Sequence, residues 1–481
     1  MAHGVLTRKP VADMIEQSQE EAHRLRPQAL GRWDLAALGI GAIVGTGIFV
    51  LSGVGATMAG PAVILSFVVA GIASALAALC YAELAGSVPV TGSSYTFTYA
   101  TLGELIAWVI GWDFILEYGV GSGAVAIGWS GYLASIFESV GVHLPTALLH
   151  GPFDSVQPGI VNLPAVGILL LVAWLVSSGV NQSRRVNNVI VIVKLLAVVL
   201  FIVVGSFFIH PANYTPFMPY GWGGVMTGAA IIFYAYIGFD SVATATEEAR
   251  DSRHSIPFGI LVSLGVCTLL YLLVAFVSSG LLPAQAYRGQ AAPLAYALQH
   301  VGQGWAAGAI SIGALAGLSS VMLVGVFSGA RVLFAMSRDG LLPKGLAKVH
   351  EARRTPQRVI WLGALISSIC AGLLPINVVA ELTNVGTLAA FTLVSIGVLV
   401  LRYTQPDLPR TYRVPGVPVV PLLAAAASIY LIVSLPVLTL IRFGVWLLLG
   451  FLVYFLYSRK HSRIEEKILV TTQPSMPESN A

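Results

Sequence analysis

The sequence predicts an all-α integral membrane protein with twelve transmembrane helices. Composition, the spacing of apolar segments and the placement of basic residues lead to that prediction. Of 481 residues, 56% are apolar and only 10% are Asp, Glu, Lys or Arg, whereas a soluble domain holds about a quarter charged residues. This balance excludes a disordered chain, a nucleic-acid binder and an ordinary cytosolic enzyme. The net charge of +4 is too small to imply a nucleic-acid partner. The 50 glycines fit membrane helices, where small residues let backbones approach closely.

A helix needs about 20 mostly apolar residues to cross a bilayer. Twelve segments meet that need: span one at 35–56, two at 61–85, three at 103–137, four at 162–182, five at 187–208 and six at 224–247. Span seven follows at 256–280, eight at 304–336, nine at 356–374, ten at 378–402, eleven at 418–436 and twelve at 439–458. Spans three and eight are over-long, and tilt or extension into an adjoining loop helix is expected. With the N-terminus in the cytoplasm, 22 of the 26 Lys and Arg residues fall on the cytoplasmic side and only Arg288 and Arg442 on the other. That asymmetry orients the chain with both termini cytoplasmic. It also favours an even number of spans. Lys194 and Arg331 remain inside spans.

The chain divides into a cytoplasmic tail at 1–33, a transporter-like membrane domain at 34–459 and a second cytoplasmic tail at 460–481. Residues 1–33 are polar and lack a secretory-signal pattern, so span one is expected to act as its own insertion signal. Residues 11–26 read as a short amphipathic surface helix or as a solvated tail. Residues 470–481 read as disordered. Cys80, Cys267 and Cys370 all fall in apolar stretches, and this odd set offers no disulfide framework. No histidine sits at the centre of an apolar run, so neither a metal site nor a cofactor is expected.

Two spans carry signs of interruption. Span one reads GIGAIVGTGIFVLSGVGA, with Gly39, Gly41, Gly45 and Gly47 clustered; span six reads GAAIIFYAYIGFDSVATATEEA, with Gly238 beside Asp240. Interrupted helices in corresponding positions of two halves point to a midplane transporter site. Lipid cannot satisfy an unwound backbone, which must line a polar cavity or bind something. Gly41-x-x-x-Gly45 is also a helix-packing motif. A dinucleotide fingerprint fails, because position 44 is Val and no strand precedes it.

The segments GIGAIVGTGIF and AGPAVILSFVVAGIASALAALCYAELAGSVPVTGSSYTFTYATLGELIAWVIGWDFILEY resemble the start of an amino acid permease. FYAYIGFDSVATATEEARDSRHSIPFGI, RVLFAMSRDGLLP and LRYTQPDLPRTYRVPGVPVVP resemble the cationic amino acid transporter family of the amino acid–polyamine–organocation superfamily, in its bacterial form. The likeness runs in order from about residue 30 to residue 425. It implies two inverted five-helix repeats plus two extra helices, with helices one and six discontinuous. It implies a secondary carrier of amino acids in the cell's inner membrane. Its oligomeric state is open.

Carried over residue by residue, the resemblance places the substrate carboxylate at the backbone of Ile43, Thr46 and Gly47. It places the ammonium at carbonyls of Tyr234, Ala235 and Ile237, with Ala42 or Ile43 helping. The physics agrees: half-helix N-termini offer partial positive charge and free N–H donors, and half-helix C-termini offer carbonyls. Tyr234 departs from the expected phenylalanine, keeping an aromatic gate and adding a hydroxyl. Candidates for the side-chain pocket are Ser122, Gly123, Ile237, Val321 and Met322, each of which also reads as plain packing.

Ionisable groups inside spans are functional suspects. Lys194 lies in VNNVIVIVKLLAVVLFIVVG, where snorkelling to the interface is the alternative. In the resembling family, sodium-coupled members use a cation site between spans one and eight, and proton-coupled members place a fifth-span lysine there. The likeness therefore assigns Lys194 to proton coupling, touching span-one carbonyls and the Ser319–Ser320 region. Asp113 and Glu117 lie four apart and share a helix face. Glu117 is read as a proton acceptor, as a partner of Lys194 or a cationic substrate, or as part of a hydrogen-bond network. Asp240 is read as a cap of the second half-helix rather than as a substrate contact. Glu83, Glu247, Glu248 and Arg331 are read as gate or structural contacts.

The leading expectation is a proton-coupled importer of small neutral L-amino acids working by alternating access. The apolar pocket candidates favour alanine over arginine, since a buried cation needs a partner. Cationic transport and sodium-coupled exchange are the alternatives. An amino acid sensor on a transporter fold and a membrane enzyme are the outside readings. No signalling domain supports the former, and no catalytic constellation supports the latter.

Overall fold

The structure is a computed structural model that describes residues 7–9, 14, 30–88, 93–154, 156–179, 184–244, 249–350, 353 and 355–462. The predicted surface helix, apart from Met14, lies outside the described residues, as do Glu247, Glu248 and residues 470–481. Among the described residues the chain is helical and carries no strand; a single bridge pairs Leu30 with Ala249.

All twelve predicted segments fall on helix. Eight helical runs are long and apolar enough to cross a membrane, the first of them, Arg32–Ser87, covering both span one and span two. The helices at spans four, nine and eleven are shorter, at Leu163–Ser177, Gln357–Leu373 and Val419–Val433. The over-length of spans three and eight is real. Span eight is one helix of 35 residues, Gly304–Arg338, about 52 Å long at 1.5 Å per residue. Span three runs over Glu104–Ser139 but contains a wider, π-helical turn at Ile115–Val120.

The helices pack as burial of their apolar sides requires. Span seven lies against spans one and two, span eight against three and five, span nine against four, and span ten against eleven. Spans six and ten are the most enclosed, each with 72% of its apolar window buried, whereas span twelve has 22%. Span twelve joins the bundle partly through tryptophans. Trp112 stacks on Trp446 with ring centres 4.6 Å apart, and Trp108 donates its indole N–H to the Gly450 carbonyl at 3.0 Å. The backbone there has to come close, since a Cβ on Gly450 would meet the Trp112 ring at 2.6 Å.

The tails meet one end of the bundle. The Lys9 amide donates to the Tyr99 carbonyl at 3.2 Å, and the Glu104 amide donates to the Thr7 carbonyl at 3.1 Å. Lys9 also pairs with Asp339 at 3.3 Å, and Asp339 accepts from the Tyr95 hydroxyl at 2.8 Å. Ser462, after span twelve, reaches the same region by bonding Glu104. Glu83 has a structural role at this end. Its carboxylate accepts from Arg402 at 2.8 and 2.6 Å and from the Val414 amide at 2.6 Å. It thereby fastens span two to the end of span ten and the loop beyond.

Candidate functional site

The first half of span one is the helix Arg32–Ile43. It stops because Val44 is extended, at φ −72° and ψ 96°, and the chain re-enters helix through a π-helical turn at Gly47–Leu51. Span six breaks in register with it. Helix Gly221–Ile232 tightens to a 3-10 turn at Phe233–Tyr236, after which Ile237 is extended. Gly238 has φ +123°, a conformation other residues rarely adopt. Its Cα side faces the Ala42 carbonyl so closely that a Cβ would stand 2.9 Å from that oxygen. Gly47 is equally constrained, since a Cβ there would enter the Ala235 backbone. The two breaks therefore touch, and the sequence at both is small because nothing larger fits.

Several carbonyls at the span-one break have a side-chain donor. The Lys194 ammonium donates to the Gly41 carbonyl and to the Val44 carbonyl at 2.9 Å. Tyr271 of span seven donates its hydroxyl to the Ile43 carbonyl at 2.8 Å. Tyr132 of span three donates to the Phe49 carbonyl at 2.6 Å. Lys194 is fully buried, and this position does not permit snorkelling to water. Its stem passes Gly317 of span eight, where a Cβ would stand 3.1 Å from it. The expected approach to Ser319 and Ser320 takes another form. Ser319 donates to the Leu315 carbonyl at 2.7 Å and accepts from Trp129 at 3.0 Å, so its hydroxyl is engaged within spans eight and three.

Span six is supported from span ten. The Asn384 side-chain amide donates to the Ala230 and Ile231 carbonyls at 2.8 and 2.9 Å, the carbonyls that a helix end leaves open.

Between the breaks and span three lies a cavity of about 70 Å³. Of the predicted substrate contacts, Ala42, Ile43, Thr46, Gly47, Ser122, Tyr234, Ile237 and Val321 line it, as does Glu117. Gly123, Ala235 and Met322 stand outside the lining. Gly123 faces the Ser367 carbonyl and Ala371 amide of span nine, Ala235 backs onto Gly47, and Met322 is fully buried in the core. Lys194 also stands outside, behind the span-one break.

Two carboxylates face into the cavity, each half satisfied. Glu117 accepts from the Thr387 hydroxyl at 2.9 Å, and Asp240 accepts from the Tyr118 hydroxyl at 3.0 Å. Their other oxygens, together with the Thr46 hydroxyl, are buried without a partner among the described residues. Such orphaned groups are expensive to keep away from water. Facing a cavity, such groups can receive a polar ligand. Glu117 and Lys194 do not form an ion pair here, and Asp240 turns its carboxylate to Tyr118 and the cavity. Asp113 is buried but lies off the lining.

Sequence reasoning missed Tyr118, Tyr271, Asn384 and Thr387. The available signal was a hydroxyl or amide isolated in an apolar run, the kind of residue membranes tolerate only with a partner.

A family profile described as amino acid permease matches residues 30–456. The chain is 49% identical to the branched-chain amino acid permease BcaP of Bacillus subtilis (strain 168), over 97% of this chain and 100% of that protein. It is 46% identical to the methylthioribose transporter of the same organism, over 95% of this chain and 99% of that one. It is 37% identical to cationic amino acid transporter 4 of Mus musculus, over 82% of this chain and 63% of that one.

Proposed function

The chain belongs to the amino acid permease family, and from that premise we propose that it imports neutral L-amino acids with short or branched side chains, driven by protons. The observation behind this reading is the cavity at the paired breaks. One wall is backbone, where the N–H groups that open the second half of span one have no intrahelical partner and suit a carboxylate. The orphaned oxygens of Glu117, Asp240 and Thr46 suit an ammonium. The remaining wall is apolar, with Val125, Val321 and Ile237. Its volume of about 70 Å³ holds on the order of five water molecules, enough for a small neutral amino acid.

Lys194 supports the coupling half of the proposal. Its ammonium occupies the paired carbonyls of Gly41 and Val44, the kind of oxygen cage a sodium ion would need. Release and return of its proton would remove and restore the positive charge at that place without sodium. We propose that Glu117 joins the coupling through its open oxygen. Two half-satisfied carboxylates also favour a cationic substrate, and that is the second reading; the apolar wall of Val125, Val321 and Ile237 is what sets it behind the first.

Uptake into proteoliposomes of a labelled panel, with and without a pH gradient, tests this. Alanine and valine are expected to accumulate only with the gradient, and arginine not to compete. Tight arginine binding without competition by alanine or valine would overturn the substrate assignment.

Twelve crossings in two inverted repeats of five plus two, with both termini cytoplasmic, complete the proposal. A cysteine placed in the 145–158 loop should label from outside intact cells, and one in the 340–355 loop should not. The reverse pattern would refute the orientation.

A further inference from the structure

Two hydrogen bonds join spans three and six at the cavity, Tyr118 to Asp240 and a second that holds an aromatic ring across it. The Tyr234 hydroxyl donates to the Gly121 carbonyl at 2.9 Å. Both residues line the cavity. Gly121 opens the α-helical stretch immediately after the π-helical turn at Ile115–Val120. Three spans converge on this point because Gly121 has no side chain. A Cβ there would stand 3.1 Å from the Thr383 methyl of span ten and 3.7 Å from the Tyr234 oxygen. The ring thus spans the cavity from its own helix to the backbone of another, fixed at both ends. A phenylalanine in its place would be fixed at one end only and free to turn about χ1 toward any space that a substrate demands.

We propose that the Tyr234–Gly121 bond makes Tyr234 the specificity-determining residue that sets the upper size limit of the substrate side chain. This inference rests on the neutral amino acid reading above. The tether holds the ring across the space that a longer or aromatic side chain would enter. A substrate with a large side chain has to break the bond before it can be enclosed, whereas alanine or valine leaves it intact. Discrimination by size therefore includes the cost of that bond. It is lost when the hydroxyl is removed and the ring kept.

The test is Tyr234→Phe against the wild type, read as thermal stabilisation of the purified, detergent-solubilised protein by alanine, valine, leucine, methionine and phenylalanine. The same panel is then run as competitors of alanine uptake. Loss of one hydrogen bond predicts that the preference for alanine over phenylalanine falls about fivefold, by stronger binding of the large ligands. Binding is read without turnover, so a variant that transports poorly still reports its selectivity. An unchanged ranking in Tyr234→Phe overturns the inference. Equal weakening of all ligands also overturns it, since that is the mark of a structural role. A wild type stabilised by no amino acid would instead overturn the functional reading on which the inference rests.

Discussion

Lys194→Ala is expected to reduce gradient-driven uptake to the level of empty liposomes. Lys194 is fully buried and supplies hydrogen bonds to two carbonyls released at the span-one break. Alanine removes the ammonium behind that break and leaves both acceptors unpaired. An unpaired buried acceptor costs about 1–3 kcal/mol, so the variant is also expected to melt earlier. It is not expected to unfold, because Glu117 is bonded to Thr387 and no lone charge is stranded. Lys194→Arg is expected to fail as well. A guanidinium does not give up its proton in this range, and its planar fork is not a substitute for a compact ammonium. Proteoliposome uptake under separate pH and sodium gradients decides the matter. Sodium-stimulated uptake by the wild type, or accumulation by Lys194→Arg on a pH gradient alone, would reopen the sodium-coupled alternative.

Gly47→Val is expected to prevent assembly of the site. Even the Cβ of an alanine would enter the Ala235 backbone. Backbone cannot swing aside as a flexible side chain does, and overpacking of this kind costs about 1–3 kcal/mol or more. Valine adds two methyl groups to the same collision. The expected result is little monodisperse protein by size-exclusion chromatography, with Gly47→Ala recoverable but melting several degrees lower. Recovery of a stable, transporting Gly47→Val protein would show that the two breaks can separate.

The sequence made the broken helices legible because glycine clusters are rare enough to notice and unwound backbone has so few uses in a membrane. Lys194 was legible for a similar reason, as a full charge in an apolar run. Helix phase was not. Ser122 lines the cavity while Gly123 meets span nine, and Val321 lines it while Met322 is in the core. Adjacent helical residues point about 100° apart, and only the neighbouring helices say which direction is inward. The π-helical turn at Ile115–Val120 was invisible too, since no residue type demands it. It holds Glu117, which lines the cavity. Asn384 was available as a lone amide in span ten, but its partners, the Ala230 and Ile231 carbonyls, lie more than a hundred residues earlier in the chain. Nothing local connects them.

The contact between the two breaks limits how the machine can work. Gly47 is seated on Ala235 and Gly238 on the Ala42 carbonyl, so neither broken helix can slide along the other without backbone colliding with backbone. Tyr271 adds a bolt from span seven into the same junction through the Ile43 carbonyl. These parts are expected to move as one lever. The give has to come at surfaces joined by side-chain tips, such as the Tyr118–Asp240 and Tyr234–Gly121 bonds to span three. A cross-link between spans one and six should therefore leave the transport cycle running, and one between spans six and three should stop it.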